Sequence, residues 1–263
     1  MNQPAPLGWT LLAAGVLVLA IVGGGVLVTY PLRRLPLTWP QRWLYALNML
    51  LCRTLWRVTI SGPLPVDEAQ GAIIICNHRS SADPCFIEMA TGRVVHWLVA
   101  KEYYDHWAFH WLLRAAESIP VSRGGIDTLA VKAAIRIASQ GGLVGLFPEG
   151  RVNATDRILL PARPGAALIA LKSRVPVIPC YIRGAPPARY VLEPLFHPAK
   201  VEVIVGQPID LSDYYGKEDE GGVLEDLTRR FLREIAALGG YPDFQPTLAG
   251  RFYKPTRNRE NGG

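Results

Sequence analysis

Short, unbroken apolar runs, each followed by a segment with helical spacing, constrain this chain more than any other feature. Ala72-Ile73-Ile74-Ile75-Cys76 has no polar member. A strand with one solvated face would alternate, so a continuous run of this length predicts a strand covered on both faces. Val94–Ala100, Ser118–Val121, Leu143–Phe147, Val175–Ile182 and Val201–Val205 read as further strands. His106–Glu117 reads as a helix, and Ile126, Leu129, Ala130, Ala133 and Ile137 recur at helical spacing. Pro164–Ser173 reads as a helix with a proline at its start, and Val223, Leu227, Phe231 and Ile235 stand four apart on another. Strands alternating with helices predict an α/β fold: a single domain with a mostly parallel mixed sheet flanked by helices. The chain has 263 residues, 49% hydrophobic and 19% charged. That is enough to bury a core, and it excludes a disordered chain or a small disulfide scaffold.

The placement of charge says more than its total of +6. Residues 1–30 carry no acid or base, and residues 31–60 carry Arg33, Arg34, Arg42, Arg53 and Arg57 with no acid. The other 203 residues hold 23 basic and 22 acidic side chains. A nucleic-acid binder would spread its basic stripe over the folded body, so no nucleic-acid partner is expected. A basic cluster beside an apolar run fits the anionic cytoplasmic leaflet. Trp9–Tyr30 is that run. As a helix its 22 residues would span about 33 Å, against roughly 30 Å of hydrocarbon. Trp9 and Tyr30 stand where interfacial aromatics belong, and Arg33 and Arg34 follow. A membrane anchor is therefore expected, with the body on the cytoplasmic side. A cleaved signal peptide fits less well, because there is no basic leader and no A-x-A site after the run. In Gln41–Ile60, Trp43, Leu44, Leu47, Leu50, Leu51, Leu55 and Trp56 interleave with three arginines. This reads as an amphipathic helix at the headgroup layer, or as an ordinary helix packed on the body.

In open α/β sheets, ligands bind beyond the carboxyl ends of strands. Two such ends carry reactive side chains. Asn77-His78-Arg79-Ser80-Ser81-Ala82-Asp83 follows the first run directly. Five positions separate His78 from Asp83, so a tight turn can set the carboxylate against the imidazole as an orienter for a base. The simpler reading is a loop histidine and an Asp83-Pro84 helix start, with Asp83 as the cap. The second end is Phe147-Pro148-Glu149-Gly150-Arg151. There Gly150 would permit close approach and Arg151 could grip a phosphate; the plainer reading is a turn with solvated charges.

Taken together, these blocks resemble the glycerolipid acyltransferase family, including the 1-acylglycerol-3-phosphate acyltransferases. Asn77, His78, Ser80 and Asp83 match its N-H-x-S-x-x-D block, and Phe147–Gly150 match its F-P-E-G block. Ile119-Pro120-Val121-Ser122-Arg123 stands where the family has a block ending in Arg, and Val175-Pro176-Val177-Ile178-Pro179 is similar to the fourth block. One departure is that Arg151 follows Gly150 at once, one place earlier than in F-P-E-G-T-R. The resemblance implies an acyl group moving from acyl-CoA or acyl carrier protein to the hydroxyl of a lysophospholipid, 1-acylglycerol-3-phosphate first among them. It implies His78 as base and Asp83 as its orienter. Arg123, Phe147, Pro148, Glu149, Gly150 and Arg151 would line the acceptor pocket, with Arg79, Ser80 and Lys101 as weaker members and Pro179 at a channel wall.

No metal and no cofactor beyond the donor is implied. The expected partners are membrane lipids and the donor, and the expected place is the bacterial inner membrane. The organisation expected is 1–60 as anchor and interfacial helix, 61–255 as acyltransferase domain and 256–263 as tail. Two rivals remain. Cys76 or Cys85, flanking the loop, could form an acyl-enzyme, although the four cysteines show no C-x-x-C or zinc spacing. A non-catalytic lipid-binding protein would need no base at all. A serine hydrolase lacks its G-x-S-x-G elbow here.

Overall fold

The computed structural model describes residues 37–122 and 127–250. The expected anchor over Trp9–Tyr30 and the tail at 256–263 lie outside the described residues. No helix among the described residues is long and apolar enough to cross a membrane. The chain divides into two compact units, Met1–Leu51 and Cys52–Gly263.

Helix α1, Trp39–Thr54, begins in the first unit. It opens with a side-chain cap that the sequence reading did not identify. The Thr38 backbone N–H and hydroxyl both donate to Gln41 Oε1, at 2.8 and 2.9 Å. Trp39, Trp43, Leu47 and Leu50 are exposed at helical spacing, and the Arg42 guanidinium lies 5.7 Å from the Trp39 ring centre. The helix stops at Thr54 instead of running to Ile60, because Arg57 turns the chain with φ 40°. Thr59–Ser61 then becomes a strand, β1.

The second unit continues with β2 (Ala72–Cys76), α2 (Asp83–Thr91), β3 (Val95–Ala100), α3 (Lys101–Tyr104), α4 (His110–Ala115) and β4 (Ile119–Val121). Then come α5 (Thr128–Ser139), β5 (Leu143–Leu146), α6 (Gly165–Ser173), β6 (Val177–Arg183), β7 (Glu202–Val205) and α7 (Val223–Leu238). Of the helix expected over His106–Glu117 only the six residues of α4 are helical; residues 105–109 are a turn, and the short α3 lies before the expected span. The strands form one sheet in the order β1-β7-β6-β2-β5-β3-β4. All neighbours are parallel except β6 and β7. The α/β reading with a mostly parallel mixed sheet thus holds for the body.

The apolar run at β2 is buried at all five positions, as expected of a strand flanked by β6 and β5. Strand side chains alternate in direction. Ile73 and Ile75 join the core beneath α5, α6 and α7, whose contributions include Ala130, Ala134, Ala138, Ile169, Leu227, Phe231 and Ile235. Small alanines four apart on α5 let that helix approach closely. Ile74 points to the opposite face.

On β5 a glycine is required by packing. The Trp97 ring of β3 lies over Gly145, so a Cβ there would come within 2.5 to 2.7 Å of ring carbons. Gly145→Ala is expected to destabilise the fold by about 1–3 kcal/mol, the usual cost of overpacking, and a thermal melt measures it. An unchanged melting temperature would mean that the Trp97 ring can yield.

Candidate active site

The site begins where β2 ends. At the last paired residues, Cys76 and Cys180, the backbones of β2 and β6 part. The buried Asn77 side chain takes over from the ladder. Its Nδ2 donates to Ile182 O at 2.9 Å, and its Oδ1 accepts Ile182 N–H at 2.7 Å. The chain leaving β2 is thereby clamped, and His78 follows on a fixed base.

The next turn is organised by one carboxylate oxygen. Asp83 Oδ2 accepts the backbone N–H of Arg79 at 2.6 Å and of Ser80 at 2.8 Å, and sits 2.9 Å from His78 Nδ1. Asp83 is fully buried, and His78 is 15% exposed on its side chain. With two N–H groups already aimed at it, Oδ2 serves as an acceptor, so Nδ1 carries the third hydrogen. The lone pair is then on Nε2, which this arrangement leaves for a substrate.

Asp83 does not act as a helix cap, contrary to the simpler reading of Asp83-Pro84. It is the first residue of α2, its carboxylate folds back to the preceding turn, and Ala82 at the N-cap has no side-chain cap bond. Its Oδ1 has no hydrogen-bond partner among the described residues.

The imidazole is also held by its face. Phe147 stacks on His78 with ring centres 3.8 Å apart and planes 8° apart. Trp97 stacks behind Phe147 at 4.6 Å and 12°. Trp97, unrecognised in the sequence, is thus the back wall of the site. The only local sign of it was a glycine inside a strand at 145.

The segment after β5 wraps the His78 loop from the other side. Glu149 Oε1 accepts His78 N–H at 2.8 Å, and Oε2 accepts Leu160 N–H at 2.7 Å. Asn153 N–H donates to His78 O at 2.7 Å. The Arg79 guanidinium donates to Thr155 O at 2.7 Å. The buried Asn153 side chain, which sequence reasoning also missed, binds Arg157 O at 2.8 Å and accepts from Thr155. Glu149 and Arg79, expected in an acceptor pocket, therefore spend their described polar contacts on backbone. Burial pushes the Glu149 carboxyl up to about 7, against the opposing pull of its two N–H partners and of Arg79.

The other expected residues are placed less centrally. Ser80 is buried, and its hydroxyl accepts Ala82 N–H at 3.3 Å within the turn. Pro148 is buried, while Gly150 is exposed with φ 67° and nothing near its missing Cβ. Arg151 is half-buried beside it. Lys101 is exposed at the start of α3. Pro179 lies within the buried part of β6 opposite Ile75, with its ring against Gly206, so it is a core-strand residue. Arg123 lies outside the described residues.

Cys76 is a poor nucleophile here. It is buried in β2, and burial pushes its thiol well above the ordinary value. The Cys85 thiol is raised in the same way.

Glu149 offers a test of this wrapping. Its folded value of about 7 lies above the ordinary 4.5. Between those two pH values the native chain holds a proton that the unfolded chain has released. The group's stabilising contribution is complete below about 4.5 and is lost as pH rises through about 7. The unfolding free energy of wild type relative to Glu149→Gln is expected to fall by about 3 kcal/mol across that window. Denaturant melts at several pH values measure it, and a flat difference would show Glu149 ionised throughout.

Residues 57–183 match the family model described as Acyltransferase. The chain is 27% identical over 178 residues to the 1-acyl-sn-glycerol-3-phosphate acyltransferase of Bacillus subtilis, covering 65% of this chain and 83% of that protein. It is 27% identical over 175 residues to the enzyme of the same name from Streptococcus pneumoniae, covering 65% of this chain and 62% of that one. Among solved structures, the 1-acyl-sn-glycerophosphate acyltransferase PlsC of Thermotoga maritima has the same fold. Its TM-score is 0.54 at 19% identity, over 87% of this chain and 95% of that one. The blocks at Asn77–Asp83 and Phe147–Gly150 both lie inside the span that matches the acyltransferase model, and the chain is similar to these acyltransferases there.

Proposed function

We propose that the chain transfers a fatty acyl group from a thioester donor, acyl-CoA or acyl carrier protein, to the hydroxyl of 1-acylglycerol-3-phosphate, giving phosphatidic acid. The observation that carries this reading is the Asp83 contact with His78 Nδ1, which leaves Nε2 as the base. An alcohol near neutral pH is a weak nucleophile and needs a base in the transition state. Nε2 takes the hydroxyl proton as the oxygen attacks the thioester carbonyl. The imidazolium is stabilised by Asp83, and it returns the proton to the leaving thiolate. The carbonyl oxygen gains negative charge in the intermediate and calls for N–H donors nearby. Phe147 and Asp83 keep the ring from turning between the two proton transfers.

The acceptor named for the curated relatives supports the lysophosphatidate choice, and the shifted Arg151 argues for testing other headgroups. The apolar run at Trp9–Tyr30 and the arginines after it support a location at the cytoplasmic face of the bacterial inner membrane, where a lysolipid acceptor resides. No nucleic acid, metal or further cofactor enters this scheme.

His78→Ala is expected to lower kcat by on the order of a thousandfold or more. Asp83→Asn should cost a similar factor by favouring the wrong tautomer. A mass-spectrometric product screen with several lysolipids and both donor types reads both variants and names the substrates. Undiminished turnover in His78→Ala would overturn the mechanism. A Cys76→Ala, Cys85→Ala double variant should keep turning over, and its inactivity with a native fold would favour an acyl-enzyme.

A further inference from the structure

Adjacent antiparallel strands can be joined by a turn of two to five residues. β6 and β7 are such neighbours, yet residues 184–201 connect them. Long connections of this kind tend to carry function. This one is held firmly from behind. The buried Trp56 indole N–H donates to Pro194 O at 3.0 Å, and its ring meets Phe86 edge-on at 5.2 Å. Ala199 N–H and Val201 N–H donate to Leu55 O and Trp56 O, both at 3.1 Å. Ser81, three positions from His78, donates its hydroxyl to Val191 O at 2.7 Å. The loop is therefore fastened to the catalytic turn itself.

Its outer side is apolar. Tyr190 is 75% exposed, Phe196 77% and Leu192 52%, with Val191 and Leu195 also exposed. A monomeric soluble protein rarely gathers such side chains in seven consecutive residues. The charges around them are mostly basic. Arg189, Lys200 and Arg57 are exposed bases on this loop and beside it. Glu193 is the only acid in residues 185–200, and its carboxylate turns back onto Arg189 through the backbone N–H and the guanidinium. Aromatic and aliphatic tips in a basic rim suit the headgroup layer of an anionic bilayer. The end of the sheet agrees. β3 and β6 run parallel to the central strands, so the segment bearing the exposed Trp107 and Trp111 leaves at the same carboxyl end as this loop and His78.

We propose that residues 189–196 dip into an anionic lipid surface and, through Ser81, hold the His78 turn at the depth of the acceptor hydroxyl. The proposal rests on the acyltransferase reading for its purpose, but insertion can be measured without turnover.

Two variants of the full chain test it. In the first, Phe196→Cys carries an environment-sensitive fluorophore, with labelled wild type as the blank for the native thiols. Phosphatidylglycerol-containing vesicles should shift its emission to the blue, and brominated acyl chains should quench it. In the second, Leu195→Ser with Phe196→Ser should lower kcat/KM about tenfold on vesicle-embedded lysophosphatidate, since apolar area no longer enters the interface. The same variant should match wild type on a short-chain, water-soluble lysophosphatidate. Emission unchanged by vesicles would overturn the proposal and point to a protein partner for the patch. Equal loss on both substrates, or no loss on either, would also overturn it. Failure of the acyltransferase reading would appear separately, as no turnover by wild type on any acceptor while the probe still inserts.

Discussion

One carboxylate oxygen organises this site. Asp83 Oδ2 gathers two backbone N–H groups and the His78 ring within five residues of chain. Burying a charge-bearing group is costly unless its lone pairs are satisfied, and here the turn that carries the base satisfies Oδ2, while Oδ1 has no partner among the described residues. The bond that orients His78 and the bonds that shape its loop therefore end on the same atom. Loss of that atom would loosen the turn and free the tautomer together.

The sheet order supplies the rest of the support. β2 lies between β6 and β5, so whatever follows those strands surrounds the His78 turn. Asn77 pins it to the end of β6, and Glu149 and Asn153 pin it to the segment after β5. Face-on, the ring meets Phe147, which is backed by Trp97, which in turn needs the bare backbone of Gly145. Packing and chemistry meet along this column, from a strand glycine to the base. The same end of the sheet presents the exposed aromatic loops, so the reaction centre and the candidate lipid-facing side chains share one edge of the body.

Local patterns made much of this legible. The continuous run at β2 and the four-residue spacing on α7 are consequences of burial and helix pitch, and both elements formed where the spacing placed them. The errors were also local. Of residues 106–117 only His110–Ala115 is helical, a shortening that no periodicity reveals. β1 is three residues long and exposed and pairs with β7, so its own side chains carried no strand signal. Glu149 and Arg79 looked like ligand-binding charges because sequence shows a side chain's chemistry and not its partner.

By itself the sequence determined the α/β alternation and the closeness of His78 to Asp83, since both arise within a few residues of chain. Only the tertiary structure decided what holds the base in place. Glu149 reaches the His78 amide across 71 positions, and Trp56 reaches Pro194 across 138. Parallel strands need long crossovers, so neighbours in the sheet are distant in the chain. Such contacts appear only when the strand order is settled, and that order is chosen by the burial of the whole sheet, not by any one segment.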